Sequence, residues 1–183
     1  FAGLGGGTSN AACLIKYFIK KKITKNLLNI LNKKLGSDLR LFLHDQGFQK
    51  NLNKIVNFKK EYKLFFLLVY PNLKSSTKFV YSKVTKYSIK SKYNFNRISS
   101  KKKFIKVLKN KSNDLQSIVE VKYPIIQKII ADIKQKKGCH FSRMTGSGSV
   151  CFGVFEREKD AKEAATKIKL KYPKFWFSVA KTI

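Results

Sequence analysis

Glycines and small hydroxyl side chains are concentrated in one early segment, GLGGGTSNAA at residues 3–12. Glycine lets backbone N–H groups come close to a phosphate, and the N-terminus of a following helix favours an anion. The hydroxyls of Thr8 and Ser9 suit phosphate oxygens or a Mg²⁺ ion held between phosphates. The segment therefore predicts a site for a nucleoside triphosphate. It fits neither GxxxxGK[ST] nor GxGxxG, so a glycine-rich hinge, with the two hydroxyls capping a helix, stays open.

Two further segments carry groups that can take part in chemistry. Asp38 lies in LGSDL, where a carboxylate on a tight turn can accept a proton from an attacking hydroxyl. Residues 142–149, SRMTGSGS, place Gly146, Ser147 and Gly148 in a second loop whose amides can approach phosphates. Taken singly, Asp38 can simply cap a turn, and the second loop can be an ordinary hairpin.

The elements around these segments follow from apolar spacing. Helical spacing from residue 11 to 19 predicts a helix whose N-cap is Thr8, Ser9 or Asn10. Residues 24–35 predict a second helix that ends at Gly36, a residue suited to a C-cap. The apolar run 64–70 predicts a buried strand. A short helix over 75–81, capped by Ser75 or Ser76, follows it.

The rest of the sequence predicts helices packed on one antiparallel sheet. Residues 86–103 are rich in Lys, Ser, Asn and Tyr without a sustained period, which indicates an exposed, poorly ordered loop. Helical spacing resumes from 113 to 119, and again after Pro124 as far as Gly138. The tail alternates strand 141–144, strand 150–155, helix 160–172 and strand 175–180. This order is typical of an α+β sandwich.

The charge balance is strongly basic, with a formal net charge of +30. Such an excess can indicate a nucleic-acid partner, because Lys and Arg release counterions from phosphates. Only four of the 40 basic residues are arginine, and the lysines are spread along the chain, whereas a reader of bases concentrates arginine. We therefore expect no nucleic acid and no membrane as partners, and read the lysine excess as compositional.

The cysteine, histidine and hydropathy patterns bear on metal binding, membrane insertion and cellular location. Cys13, Cys139 and Cys151 are odd in number and lack ligand spacing, so we interpret them as buried thiols in a reducing cytoplasm. His44 and His140 lack any metal-binding arrangement, and no protein-held metal site is predicted. No apolar run reaches the length of a membrane helix. The sequence accordingly favours a cytoplasmic location.

The three segments at 3–12, 35–38 and 142–148 occur in the order of the three signatures of the GHMP kinases. In detail they resemble the branch that acts on 4-diphosphocytidyl-2-C-methyl-D-erythritol, and the likeness runs from residue 1 to about 180. The resemblance implies the GHMP kinase two-domain α+β architecture. Residues 1–60 would be a partial N-terminal, ribosomal-protein-S5-like ATP-binding domain, and 61–183 a C-terminal ferredoxin-like α/β sandwich.

The resemblance also implies roles for individual residues. Asp38 matches the catalytic base, although Leu39 and Arg40 stand where the family has Val-Pro. Tyr81 matches an aromatic residue that stacks on the cytosine of the substrate. The residues implied in holding ATP, with Mg²⁺, are Ala2, Gly3, Leu4, Gly5, Gly6, Gly7, Thr8 and Ser9. Those implied in holding the substrate are Thr77, Tyr81, Gly146, Ser147 and Gly148.

The implied reaction is transfer of the γ-phosphoryl group of ATP to the 2-hydroxyl of 4-diphosphocytidyl-2-C-methyl-D-erythritol, in isoprenoid precursor synthesis by the non-mevalonate route. The sequence begins with Phe1 directly before the glycine-rich segment, so we expect an N-terminally truncated chain without the second catalytic residue of the family, a lysine, and inactive alone. A GHMP kinase acting on homoserine or mevalonate is an alternative. A basic RNA-binding protein of related fold is another.

Overall fold

A computed structural model describes residues 3–19, 23–51, 54–88, 95 and 98–182. The chain divides into two compact units. The larger unit comprises Phe1–Leu4, Tyr62–Asn94 and Ile98–Thr182, and the smaller unit comprises Gly5–Glu61, Phe95–Arg97 and Ile183. The boundary between them falls within the glycine-rich segment.

Three helices form most of the smaller unit: α1 (Gly6–Phe18), α2 (Lys25–Leu35) and α3 (Leu39–Phe42). The predicted start of α1 is wrong. Its N-cap is Gly5, whose φ of 62° lies in the left-handed region, so Thr8 and Ser9 belong to the first turn instead of capping it. The prediction for α2 is confirmed, because the Thr24 side chain accepts a hydrogen bond from the amide of Leu27 and the helix ends at Gly36.

An antiparallel pair of strands, β1 (Gly47–Asn51) and β2 (Lys54–Asn57), follows the helices. The residue pattern of this segment predicts neither strand. The two strands are short and rich in Lys, Asn and Gln, which gives little alternation of apolar and polar residues. The ring centroid of Phe95 lies 4.7 Å from that of Phe48 and 5.4 Å from that of Phe58. Aromatic packing therefore adds apolar contacts that the strand sequences themselves provide only in part.

The larger unit is built on a four-stranded antiparallel sheet. Its strands are β3 (Phe65–Tyr70), β4 (Cys139–Met144), β5 (Cys151–Phe155) and β6 (Trp176–Lys181), in the spatial order β4-β5-β3-β6. Along β3, residues alternate between buried and half-buried, so one face of the sheet carries the core. The predicted α+β class is confirmed.

Among the described residues, five helices complete the larger unit: α4 (Thr77–Ser82), α5 (Lys101–Lys109), α6 (Gln116–Lys122), α7 (Ile125–Lys134) and α8 (Glu158–Lys171). The predicted short helix is confirmed as α4, with Ser76 as its cap. The predicted loop at 86–103 is wrong at its end. Ser100 accepts a hydrogen bond from the amide of Lys103 and starts α5, and Ile98 is buried. Because α5 is rich in lysine, its sequence gives little sign of the apolar face that Phe104 and Ile105 form.

The core of the larger unit lies between the sheet and the helices. Ile126, Ile129 and Ile133 repeat at helical spacing and are fully buried, as the apolar pattern of α7 predicts. A Cβ on Gly153 of β5 would lie 2.3 Å from a methyl carbon of Ile133. Glycine at this position therefore allows α7 to pack closely on the sheet.

The three thiols have different surroundings, and the prediction that all are buried is wrong. Cys13 is exposed on α1, because it falls on the outward face of that helix. Cys139 is partly buried, and burial raises the pKa of its thiol to about 11. Cys151 is buried in the core, where burial raises the pKa of its thiol to about 12.

Hydropathy of the helices gives one further observation. Within the described ranges, none of the helices combines the length and the apolar character that crossing a bilayer requires. The longest, α8, has 14 residues and carries charged side chains along its length.

Candidate functional site

The glycine-rich segment begins with two residues in the left-handed region. Gly3 has a φ of 74°, and a Cβ there would lie 2.5 Å from the carbonyl oxygen of Thr145. Gly5 has a φ of 62°, and a Cβ there would lie 2.9 Å from the ring of Phe42. Both positions therefore require glycine, for conformation and for space. Leu4 between them is exposed, and Ala2 lies outside the described residues.

Gly6 and Gly7 serve a different purpose, because they begin α1 with ordinary helical geometry. Apart from the chain neighbours and the nearby backbone of α1 itself, a Cβ on either would meet no atom of the described residues within 4 Å. The amides of a helix's first turn have no intrahelical acceptor, and the aligned peptide dipoles place a partial positive charge there. The start of α1 thus offers free N–H donors beside open space, an arrangement suited to an anion.

The two hydroxyl residues of the segment lie within this first turn. Thr8 Oγ1 donates a hydrogen bond to the carbonyl oxygen of Leu35 at 3.2 Å, and the amide of Ser9 donates to the carbonyl oxygen of Gly5 at 2.8 Å. A Cβ on Gly36 would lie 3.0 Å from Thr8 Oγ1. The Thr8 hydroxyl therefore joins the start of α1 to the end of α2 within the smaller unit.

Asp38 lies on the turn between α2 and α3, as predicted, and its side chain is exposed. It occupies the N-cap position of α3, but its side chain makes no capping hydrogen bond. Its Oδ1 accepts a bond of 3.4 Å from the hydroxyl of Ser37, and its Oδ2 lies 3.8 Å from the position of a Cβ on Gly5. The fold of the smaller unit thus brings this carboxylate beside the glycine-rich segment.

The two residues after Asp38, which depart from the family pattern, are both buried. Leu39 is completely buried in the small core that also includes Ala12 and Ile15. Arg40 donates from Nη2 to the side-chain oxygen of Asn29 on α2 at 2.5 Å. The Leu39 side chain and the Arg40 guanidinium therefore anchor the turn that carries Asp38.

In the larger unit, the loop at 145–148 is held by side chains from other segments. Thr77 Oγ1 and Ser147 Oγ are 2.9 Å apart, and Ser75 Oγ donates to the carbonyl oxygen of Ser147 at 2.6 Å. Thr145 Oγ1 donates to the carbonyl oxygen of Gly3 at 3.1 Å. Gly146 and Gly148 have positive φ values of 52° and 85°. The fold thus brings together Thr77, the loop at 145–148 and Gly3.

Asn113 also holds this loop, a role that the motifs in the sequence did not indicate. Its Nδ2 donates to the carbonyl oxygens of Met144 at 3.0 Å and Gly146 at 2.8 Å. Its Oδ1 accepts from the amide of Leu115 at 3.0 Å. An asparagine directly before a predicted helix was the available signal, since such residues bond to nearby backbone groups.

Tyr81, on α4, lines an open pocket of about 440 Å³ in the larger unit. More than half of its side chain is exposed. The other lining residues are Tyr87, Ser112, Asn113, Asp114, Leu115, Arg143, Met144, Thr145, Gly146 and Phe152. Of the predicted substrate residues, Tyr81 and Gly146 share this pocket, whereas Thr77 and Ser147 meet beside it.

Arg143 gives the pocket a positive charge. Its Nη2 donates to the carbonyl oxygen of Leu108 at 2.8 Å, and its guanidinium carbon lies 4.6 Å from the ring centroid of Phe141. Burial lowers the pKa of the guanidinium, which nevertheless stays charged at neutral pH. Within the described part of the chain, no three or more His, Cys, Asp or Glu side chains cluster as metal ligands.

Comparison with known proteins gives a consistent result. Residues 95–174 match the family model for the GHMP kinases C terminal. A 4-diphosphocytidyl-2-C-methyl-D-erythritol kinase of Pelagibacter ubique is 36% identical over all of this chain and 65% of its own length. One from a Wolbachia of Brugia malayi is 33% identical over all of this chain and 64% of its own. The chain thus spans just under two thirds of these curated relatives.

Solved structures show the same fold. A 4-(cytidine 5'-diphospho)-2C-methyl-D-erythritol kinase superposes with a TM-score of 0.68 at 20% identity, over 97% of this chain and 66% of that one. A homoserine kinase from Cytophaga hutchinsonii superposes with a TM-score of 0.63 at 13% identity, over all of this chain and 66% of that one. The resemblance inferred from the three signatures is therefore confirmed: residues 95–174 match the C-terminal domain of the GHMP kinases, and the chain shares the fold of these enzymes.

Proposed function

We propose that this chain is part of a kinase that transfers the γ-phosphoryl group of ATP to the 2-hydroxyl of 4-diphosphocytidyl-2-C-methyl-D-erythritol, a step of isoprenoid precursor synthesis by the non-mevalonate route. Matches to kinases of that name along the whole chain support this substrate over homoserine or mevalonate. One geometric observation carries the proposal. The Asp38 carboxylate lies beside Gly5, where the glycine-rich segment turns into α1.

In this proposal, the glycine-rich segment holds the phosphates of ATP. The open space beside Gly6 and Gly7 fits phosphate oxygens, which would accept hydrogen bonds from the first-turn amides of α1. Thr8 donates its proton to the carbonyl oxygen of Leu35, which leaves the lone pairs of its oxygen free to coordinate Mg²⁺. Ser9 offers a second hydroxyl. When bound, ATP supplies the phosphoryl group, and Mg²⁺ neutralises charge on it.

Asp38 is the proposed catalytic base. An ionised carboxylate can take the proton of the attacking hydroxyl as the oxygen–phosphorus bond forms. The buried Leu39 side chain holds the turn, so the carboxylate stays near the start of α1. Phosphoryl transfer depends mainly on positioning and on charge stabilisation, which these groups can supply.

The proposed substrate residues lie in the larger unit. Tyr81 would stack on the cytosine ring, because its phenol is exposed within the pocket. Thr77 and Ser147 would position the substrate through their paired hydroxyls, and the backbone at Gly146 and Gly148 would approach it closely.

We further propose that residues 1–60 are part of an ATP-binding domain and that residues 61–183 form a C-terminal domain. The complete enzyme would be cytoplasmic.

The proposal is tested by assaying the complete open reading frame, including any coding sequence ahead of Phe1. We expect ATP-dependent phosphorylation of 4-diphosphocytidyl-2-C-methyl-D-erythritol and not of homoserine or mevalonate. Asp38→Asn should lower kcat by about a hundredfold or more, the scale of general-base losses. Asp45→Asn is the matched control, because Asp45 is an exposed carboxylate in a weak ion pair with Lys16.

Three results would contradict the proposal. Unchanged turnover in Asp38→Asn would remove Asp38 as the base. Phosphorylation of homoserine or mevalonate instead would assign the chain to another branch of the GHMP kinases. Salt-dependent binding of RNA without any nucleotide binding would favour the basic RNA-binding alternative.

A further inference from the structure

The Asp114 carboxylate holds a neighbouring segment of the pocket through Ser88. The amide of Ser88 donates to Asp114 Oδ2 at 2.9 Å, and the hydroxyl of Ser88 donates to Asp114 Oδ1. The hydroxyls of Ser88 and Ser112 are 3.3 Å apart. Both oxygens of one carboxylate are thus engaged by one residue that lies 26 positions away in the sequence.

These hydrogen bonds favour the ionised form of the carboxylate. The hydrogen bond from the Ser88 hydroxyl has the largest effect on the pKa of Asp114, and the bond from the Ser88 amide has the next largest. Both hold this pKa below its usual value, because both favour the charged state. An ionised carboxylate is an acceptor only, so it can receive both donors of Ser88 at once. A neutral amide at this position would present a donor to one of them.

Tyr87 directly precedes Ser88 and lines the pocket, as Tyr81 does. Tyr87 is 62% exposed, and Tyr81 is 53% exposed. Aromatic rings that remain exposed in a pocket present flat apolar faces to a ligand. The bonds to Ser88 therefore fix the backbone next to the second exposed ring of this pocket.

We propose that Asp114 is a positioning residue that holds Tyr87 at the pocket, where Tyr87 contacts the pyrimidine base of a nucleoside diphosphate together with Tyr81. The inference deepens the proposed function and rests on it for the class of ligand. The contact of Tyr87 with the ligand and the positioning role of Asp114 can each be tested separately.

Calorimetric titration with cytidine diphosphate tests the role of Tyr87. Tyr87→Ala should weaken binding about tenfold, the scale of losing one base–aromatic contact. Tyr87→Phe keeps the ring and should bind within about twofold of the wild type, by the same reasoning. Tyr17→Ala is the matched control, since Tyr17 is an exposed tyrosine on α1 and does not line the pocket. Wild-type binding by Tyr87→Ala would overturn the proposal.

A double-mutant cycle tests whether Asp114 acts through Tyr87. Asp114→Ala alone should weaken binding of cytidine diphosphate about five- to tenfold, because the ring is no longer held. Asp114→Ala combined with Tyr87→Ala should bind about as weakly as Tyr87→Ala alone. A merely structural effect of Asp114 would add to that of Tyr87, giving about a fifty- to hundredfold loss, and would overturn the positioning role.

Hydrogen exchange at the Ser88 amide separates failure of this inference from failure of the proposed function. Asp114→Ala should accelerate that exchange and leave the amides of β3 unchanged, because only the local bond is lost. Unchanged exchange at Ser88 would overturn the positioning role. If the wild-type chain does not bind cytidine diphosphate, the proposed substrate and the ligand contact of Tyr87 are both wrong, and the exchange at Ser88 still decides whether Asp114 holds the segment.

Discussion

The two units differ in how completely they bury their apolar side chains. In the larger unit, Leu67, Ile129 and Phe155 are fully buried in one continuous cluster between sheet and helices. In the described part of the smaller unit, the helical cluster contains three buried residues, Ala12, Ile15 and Leu39. Tyr17 and Phe18 on its first helix are more than 70% exposed.

This difference separates the proposed roles. The pocket with Tyr81 and Tyr87 belongs to the larger unit, whose buried apolar area supplies most of the hydrophobic stabilisation. The glycine-rich helix start and Asp38 belong to the smaller unit, where hydrogen bonds and a few buried side chains hold the geometry. We therefore expect substitutions and reagents to affect the two units differently.

Thiol labelling should give the largest contrast. Cys13 is exposed on α1, whereas Cys151 is buried and burial raises the pKa of its thiol to about 12. The thiolate is the reactive form, so Cys151 should react only when the unit unfolds. Its reaction at pH 8 should therefore be on the order of a thousandfold slower than that of Cys13. Mass spectrometry after timed alkylation measures both rates. Similar rates would show that the larger unit opens readily.

Core truncation should distinguish the units next. Phe155→Ala should lower the free energy of unfolding by about 3–5 kcal/mol, because it leaves a cavity in a closely packed core. Ile15→Ala should cost about 2 kcal/mol, since the smaller cluster can relax around the lost atoms. Denaturant unfolding followed by Trp176 fluorescence reports on β6 of the larger unit, and amide exchange in α1 reports on the smaller. Equal losses would contradict the comparison.

Two glycines of the same segment should respond in opposite directions. Gly3→Ala forces a left-handed residue against the carbonyl oxygen of Thr145 and should cost about 1–3 kcal/mol. Gly6→Ala meets open space in a helical conformation and should stabilise by about 0.4–1 kcal/mol. Thermal unfolding measures both. Gly6→Ala should also weaken ATP binding, since the added methyl occupies the proposed phosphate space; tighter binding would argue against that site.

The smallest effect concerns an ionic contact between α7 and α8. Asp132 accepts hydrogen bonds from Lys171 at 2.8 Å and Tyr172 at 2.5 Å. Burial acts to raise the pKa of Asp132, but these partners outweigh it and hold the pKa below its usual value. Its contribution is therefore present above pH 4 and is lost as the pH falls through the lowered pKa.

Asp132→Asn checks this contribution. The variant should lose about 1 kcal/mol of stability at pH 7. The difference from wild type should begin to shrink below about pH 4, where the carboxyl of the unfolded chain becomes protonated, and should be lost once the pH falls below the lowered pKa of the folded chain. Urea unfolding across pH 2.5–7 measures the difference. A constant difference at all pH values would mean that packing and not ionisation accounts for it.

The sequence by itself determined the elements with strong periodicity and clear terminal signals. α2 lies between Thr24 and Gly36, and α7 repeats isoleucine at helical spacing, so local chemistry sufficed for both. β3 is apolar throughout and long enough for a strand. The three signatures and their order also lay in the sequence, and they were enough to indicate the resemblance to the GHMP kinases.

Only the tertiary structure decided the features that depend on distant residues. α1 starts at Gly6 because Gly5 adopts a left-handed conformation against Phe42, which helical spacing cannot indicate. α5 is lysine-rich and shows its apolar face only once Phe104 is seen to be buried. The bonds of Asp114 to Ser88 join residues far apart in sequence. Local propensity depends on each residue and its near neighbours in the sequence, but contacts between distant segments exist only after the chain has folded.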